Sequence, residues 1–177
     1  ISVPRDLWVK MPSGNSTKIN SVYAYSGGNA NGKGAEGVTK VLEEVLGIPI
    51  HYHVLVTFDL FTQAIDILGG VDVNVENAFE DYEYPIEGME ANSCGRTEDQ
   101  VKEMVEQGKS QVQIFPCRYQ HIKFSQGVQP MDGETALKYA RSRHGNNNEG
   151  TDFARARRQQ RVITAIKDKA LSIQTLI

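Results

Sequence analysis

Six arginines, Arg141, Arg143, Arg155, Arg157, Arg158 and Arg161, fall within 21 residues of a 177-residue chain whose formal net charge is -3. Like charges gathered on one small domain repel each other, so any fold this chain adopts has to deliver them to something anionic. Bidentate recognition of phosphate is the usual employment of clustered guanidinium groups, and a phosphate-bearing ligand is the first expectation. Arg157 and Arg161 read equally well as solvated helix residues. The order Tyr139-Ala140-Arg141-Ser142-Arg143, then Thr151-Asp152-Phe153-Ala154-Arg155, then Arg158-Gln159-Gln160 is less casual.

The bulk properties narrow the class. The positive charge is local and the pI is near 5.8, which argues against a polyanion such as nucleic acid. The length supports one domain with its own core, and no apolar run approaches the length of a membrane span. The opening Ile1-Ser2-Val3-Pro4-Arg5-Asp6 reads as the inside of a strand, without initiator Met or basic leader, so a piece of a longer protein is expected. Cys94 and Cys117 would close a loop of roughly two dozen residues, worth about 3 kcal/mol by chain entropy, or remain two free thiols. An extracellular compartment favours the bridge.

Periodicity sets out the elements. Residues 1 to 11 read as a strand broken at Pro4, and Gly27 to Gly34 as a loop. Val38, Val41, Leu42, Val45 and Leu46 share a helical face that Gly47 ends. His53 to Thr57 reads as a short strand, Asp59 as the cap of a helix ending at Gly69-Gly70, and Val71, Val73 and Val75 as a half-exposed strand. The acidic stretch 77–127, with both cysteines, reads as a variable insertion, with a helix expected over Glu98 to Gln107. Asp132 caps a helix from Glu134 to Arg141. Thr151 or Asp152 caps the last helix, whose expected apolar stripe is Phe153, Ala156, Ile163, Ile166 and Ala170. Short strands alternating with longer helices predict an α/β fold, a three-layer-like sandwich with helices covering a mixed central sheet.

Candidate chemistry collects at the last helix. Asp152, Arg155, Arg158 or Gln159, and Val162 recur at spacings of three or four near a helix N-terminus, where backbone N–H groups favour an anion. Asp152 and Arg155 alternatively form an ordinary surface pair. Arg5 and Asp6 follow Pro4, with Asp6 a metal ligand or a structural cap, and Lys18 is a phosphate contact or simply solvated. The four histidines make no convincing metal set. Neither a Walker loop, a dinucleotide fingerprint nor a hydrolase serine elbow is present.

Assembled, Ser2-Val3-Pro4-Arg5-Asp6, Lys18-Ile19-Asn20 before Tyr23, Phe58 to Gly70, Val71-Asp72-Val73, Asp132 to Arg143 and Asp152 to Gln160 closely resemble the LytR-CpsA-Psr family of bacterial cell-envelope phosphotransferases. The resemblance covers most of the chain outside residues 77 to 127. It implies a single catalytic domain over 1–177 holding a polyprenyl chain in an apolar cavity, with the pyrophosphate at an arginine-rich rim. It also implies magnesium-dependent transfer of a phosphoglycosyl polymer, such as teichoic acid or a capsular glycan, from the polyprenyl-pyrophosphate carrier to peptidoglycan.

By position, Arg5, Arg141, Arg143 and Arg155 look like the pyrophosphate-binding arginines, with Lys18, Arg158 and Gln159 supporting them. Asp152, Arg5 and Arg155 look catalytic, Asp152 by orienting an arginine or assisting the acceptor hydroxyl. Asp6 is the weak metal candidate, because the family's main magnesium-associated carboxylates stand on an upstream strand and loop that this sequence lacks. As presented, the chain is expected to bind metal poorly and to turn over badly, and its sheet edge to favour a dimer. The resemblance further implies a parent on the extracellular face of a bacterial cytoplasmic membrane, tethered by an N-terminal transmembrane helix. The competing reading is a non-catalytic polyprenyl-phosphate or glycopolymer binding domain.

Overall fold

A period-2 alternation at Val71, Val73 and Val75 organises the larger part of the structure, a computed structural model describing residues 3–29 and 32–174. By contacts the chain divides into two compact units, Ile1–Thr57 and Phe58–Ile177.

In the first unit, β1 (Trp8–Lys10) pairs antiparallel with β2 (Ser16–Lys18), Val9 opposite Thr17. The reversal at Pro12 to Gly14 places Gly14 at φ 91°, a conformation open chiefly to glycine. Helices α1 (Ile19–Tyr25) and α2 (Lys33–Leu46) follow, and Gly47, at φ 67°, closes α2 by donating its N–H to the Glu43 carbonyl. Val9, Ile19, Val22 and Val41 form the core. The expected α2 face thus turns inward at Val41, while Val45 stays 45% exposed. The strand expected over His53 to Thr57 does not form: residues 51–57 are exposed and adopt no regular structure, and branched composition alone does not make a strand.

The second unit begins with α3 (Phe58–Ile67), so Asp59 lies in its first turn rather than capping it. Strand β3 (Val71–Val75) buries its three valines and pairs antiparallel with β6 (Gly127–Met131). Strand β4 (Phe79–Pro85) pairs antiparallel with β5 (Tyr119–Phe124). Because β3 runs into β4 and β5 into β6, the two ladders are segments of one bent ribbon, with three residues (76–78) opposite two (125–126) at the bend. The expected α/β fold with helices covering the sheet holds, and the three described ladders are antiparallel and two-stranded. β1 and β2 are joined by a tight reversal, and β4 and β5 by the excursion 86–118, whose two ends are brought together where the Ile86 N–H meets the Arg118 carbonyl, so that both pairs run antiparallel.

A second irregularity, between Asp81 and Tyr84, adds a residue to β4 and changes its parity. Phe79 and Asp81 face inward, and so does Tyr84 rather than Glu83. Helices α6 (Gly133–Arg141) and α7 (Asp152–Gln174) cover the ribbon, α7 lying against β3 and α6 against α3 and α7. Phe79, Phe124 and Tyr139 meet as an aromatic cluster with ring centroids 5.1 to 6.0 Å apart.

The variable stretch 77–127 proves to begin and end inside this core. Only the part between Ile86 and Arg118 leaves it, closed where the Ile86 N–H donates to the Arg118 carbonyl at 2.8 Å. It contains α4 (Glu98–Glu106) and α5 (Gln111–Ile114), both started by reciprocal capping boxes, Thr97 with Gln100 and Ser110 with Gln113. Cys94 and Cys117 are joined as a disulfide across it.

Helices α3 and α6 approach at Gly133, whose N–H donates to Asp66 Oδ1 at 2.7 Å. A methyl group there would run into the Thr62 backbone. Gly133→Ala is therefore expected to destabilise the fold by about 1–3 kcal/mol, the range for overpacking a tight contact, read as a lowered urea midpoint. An unchanged midpoint would show that α3 gives way freely.

Candidate functional site: the corner between α6 and α7

A helix ends with carbonyls that lack intrahelical partners, and those of α6 are met by side chains of α7. Arg158 is fully buried; its Nε donates to the Tyr139 carbonyl at 2.8 Å and its Nη2 to the Ser142 carbonyl at 2.6 Å. Its Nη1 donates to both the carbonyl and Oε2 of Glu149, at 2.6 and 2.7 Å. Gln159 Nε2 reaches the Ala140 carbonyl at 3.5 Å. The face that α7 buries thus centres on Ala154, Arg158 and Val162; of the expected stripe Ile166 packs against the core, whereas Phe153 and Ile163 are 76% and 63% exposed. An arginine at the centre of the inward face hides the helix's apolar period. Thr151 supplies its cap, its Oγ1 accepting the Ala154 N–H at 3.1 Å.

Arg158 is a positioning residue whose donors point at protein carbonyls, so the supporting ligand role expected of it has no free group to act through. Gln159 gives one amide N–H to α6 and is otherwise exposed. Burial alone would raise the Glu149 carboxyl, but hydrogen bonds from Asn77 and Arg158 and the charges of Arg158 and Arg157 hold it below its usual range. Burial lowers Arg158, which stays charged because a guanidinium starts so high.

The intervening loop is held from the other side by Asp81, a buried carboxylate within the acidic stretch 77–127. Its Oδ2 accepts the Ser142 hydroxyl at 2.6 Å and the N–H groups of Arg143 and His144 at 3.3 and 3.1 Å. Alternation from Phe79 puts Asp81 on the inward face, but its place in the acidic run Glu80-Asp81-Tyr82-Glu83 hid that signal.

Three arginines take no part in this framework, Arg143 exposed and Arg141 and Arg155 partly buried. Arg141, the last residue of α6, stacks over the Phe58 ring at 3.9 Å. Arg143 is exposed and forms no ion pair among the described residues. Arg155, in the first turn of α7, is 13% exposed along its side chain and is held by Asp152, with Nη2 and Oδ1 2.7 Å apart. Arg161 pairs instead with Glu76, and Arg157 approaches Glu149 at 4.0 Å. Beside Arg141 lies a pocket of about 400 Å³ lined also by Phe58, Tyr84, Glu87, Gln120 and Leu137.

Arg5 and Lys18 belong to the first unit. Arg5 sits in a turn before β1 rather than at a strand end, its carbonyl accepting the Asn20 N–H. Asp6 is engaged by Lys18 Nζ at 3.2 Å, which takes up the charge of both. Ser2 of the opening motif lies outside the described residues. Among the described residues no group of three or more His, Cys, Asp or Glu side chains could hold a metal ion. Magnesium, which needs oxygen donors in octahedral array, is not fitted by Asp6 paired to a lysine.

Two outcomes test the corner. Arg158→Ala removes one partner of a buried pair and uncaps three carbonyls, so a loss of about 3–5 kcal/mol is expected in urea unfolding. The second concerns acid. A carboxyl whose folded pKa lies below its unfolded value contributes stability that is full above the unfolded value and is lost as pH falls through the folded one. Stability should therefore drop on acidification below about pH 4.5, and Glu149→Gln should flatten that limb; an identical acid profile in the variant would remove Glu149 from the account.

The sequence model of the LytR_cpsA_psr family matches residues 1–177. Two curated relatives are the Bacillus subtilis polyisoprenyl-teichoic acid–peptidoglycan teichoic acid transferases TagV, 30% identical, and TagT, 26% identical, each over 99% of this chain. The chain spans 36% and 42% of their lengths. Staphylococcus aureus regulatory protein MsrR is 29% identical over the full chain and 40% of its own length. Among solved structures, TagT with bound octaprenyl pyrophosphate lipid matches with TM-score 0.58 and 26% identity, over 97% of this chain and 52% of that one. A transcriptional regulator from Enterococcus faecalis matches with TM-score 0.63 and 27% identity, over 97% and 48%. With its arginine corner and its whole described length accounted for by the match, the chain belongs to the LytR_cpsA_psr family.

Proposed function

We propose that this chain is part of a cell-envelope transferase that moves a phosphoglycosyl polymer from a polyprenyl-pyrophosphate carrier to peptidoglycan. The observation that carries the reading is the corner itself: Arg158 and Asp81 spend buried groups on holding one short loop, and the arginines that take no part in that framework are Arg141, Arg143 and Arg155. Fixed donors aimed where charge develops are the means by which phosphoryl transfer is promoted. Support comes also from relatives, since TagT structures contain octaprenyl pyrophosphate and LI-WTA.

In this reading Arg141, Arg143 and Arg155 grip the diphosphate, and Arg5 and Lys18 are assigned to the same ligand by the family motif. An acceptor hydroxyl attacks the phosphorus bearing the glycan and gives its proton to solvent. The P–O bond to the second phosphate breaks, and polyprenyl phosphate departs with the bonding electrons. Asp152 fixes the direction of the Arg155 guanidinium. The lipid tail is assigned to apolar surface such as that of α3, where Leu60 and Ile67 are 50% and 85% exposed. Magnesium dependence is tested by chelation in the transfer assay, and no step is drawn through the ion. The relatives' names place their acceptor in peptidoglycan, so the proposed location is the outer face of the cytoplasmic membrane.

Arg143→Ala and Arg155→Ala are expected to weaken binding of a polyprenyl-pyrophosphate glycan at least tenfold each, as loss of a charge-assisted contact costs about 1.5–3 kcal/mol. Asp152→Asn should lower transfer more than binding in a longer chain. Unchanged affinity in both arginine variants would overturn the assignment. Binding without transfer in the longer chain would instead favour a glycopolymer-binding domain.

A further inference from the structure

Helix α7 has a second face that the fold leaves uncovered. Ala154, Arg158 and Val162 turn inward, while Phe153, Ala156, Gln160, Ile163, Lys167 and Ala170 recur on the far side at alternating spacings of three and four. Ala156 and Ala170 are partly buried and the other members of this stripe are exposed. A strict three-four repeat marks the narrow seam of a two-helix coil rather than the wider stripe with which a helix covers a sheet.

Side-chain sizes along the seam match when the helix is laid antiparallel on a copy of itself. With the two-fold axis between Arg161 and Val162, Phe153 lies over the partner's Ala170, Gln160 beside the partner's Ile163, and Lys167 over the partner's Ala156. Phe153 and Lys167 thus each close over an alanine, and Lys167 lays its stem along the seam while its ammonium group stays in water. Charge selects the same register. Arg157 and Asp168 stand on one flank of the seam, and antiparallel packing brings like flanks together. Each Arg157 then meets the partner's Asp168 about 3 Å along the axis from the facing position. Within one chain both are more than half exposed and weakly held, Arg157 to Glu149 at 4.0 Å and Asp168 to Lys167 at 3.9 Å. Parallel pairing would set Lys167 against its own copy, and the carboxylates of Asp152 and Asp168 beside the seam disfavour an anionic lipid surface.

We propose that the outward face of α7 is a self-association surface on which a second copy of this chain packs antiparallel, as a two-fold dimer. Phe153 stands between Asp152 and Arg155 in sequence, so the seam runs up to the arginine corner, but the dimer does not depend on the headgroup reading. The contact is one helix wide, which puts it at the small end of specific interfaces and makes the dimer concentration-dependent.

Sedimentation equilibrium of the chain from about 5 to 500 µM is expected to show a monomer–dimer equilibrium. Ile163→Lys, which beside the two-fold axis sets a lysine against its own copy, should weaken association at least about tenfold. Arg157→Asp should weaken it also, and Arg157→Asp combined with Asp168→Arg should restore it, with each variant melting like the parent chain. A monomer throughout that range, a dimer indifferent to Ile163→Lys, or no recovery in the double variant would each overturn the surface. Cosedimentation of a monomeric chain with phosphatidylglycerol vesicles, abolished by Phe153→Ser, would overturn it too and make the face a membrane contact.

Discussion

A guanidinium group with no solvent contact, Arg158, decides how two helices meet. Its fork is rigid and planar, so satisfying carbonyls of Tyr139, Ser142 and Glu149 together fixes the loop that leaves α6 relative to the start of α7. A lysine there would offer charge without the fork. Desolvating that charge is costly, and the Glu149 carboxylate with its Asn77 hydrogen bond offsets the cost. The same tie leaves Arg141 and Arg155, one at the end of α6 and one at the beginning of α7, as residues whose backbones are already placed before any ligand arrives. Preorganised charge of this kind needs no rearrangement when a phosphate meets it.

Asp81 completes the logic from the sheet. Asp81 shares the inward face of Phe79 and turns its carboxylate to the loop, and the one residue added after it in β4 turns Tyr84 inward in place of Glu83. The same strand thus serves both the arginine loop and the neighbouring cavity. The added residue agrees with the general placing of bulges beside functional sites, where they re-aim side chains.

Much of the scaffold was legible because it follows local rules. The alternation at Val71 to Val75, the Asp132 cap, the glycine stops at Gly47 and Gly69, and the helix over Glu98 each depend on a few neighbouring residues. What was not legible depends on partners distant in sequence. The inward face of α7 carries an arginine because carbonyls of α6 require donors, and no periodicity reports such a need. The 53–57 segment has strand composition but forms no strand, and the parity change in β4 arises from pairing with β5. Among the site residues, clustering marked the arginines as a group. Only burial separates Arg158, turned inward, from Arg141, Arg143 and Arg155.

That separation bears on how a chain of net charge -3 presents a cation site at all. Arg157 and Arg161 lie near Glu149 and Glu76, and Arg158 is neutralised inside, so half of the arginine cluster adds little to the outer field. The remaining positive charge is short-ranged, since salt screens exposed charges beyond about 8 Å at physiological ionic strength. It therefore acts on a phosphate delivered to the corner and only weakly on polyanions at a distance. Arg141, with its face on Phe58 and Glu87 and Glu90 in the same pocket wall, stands where that local field changes sign. A ligand with a charged end and a neutral end has an orientation imposed on it there.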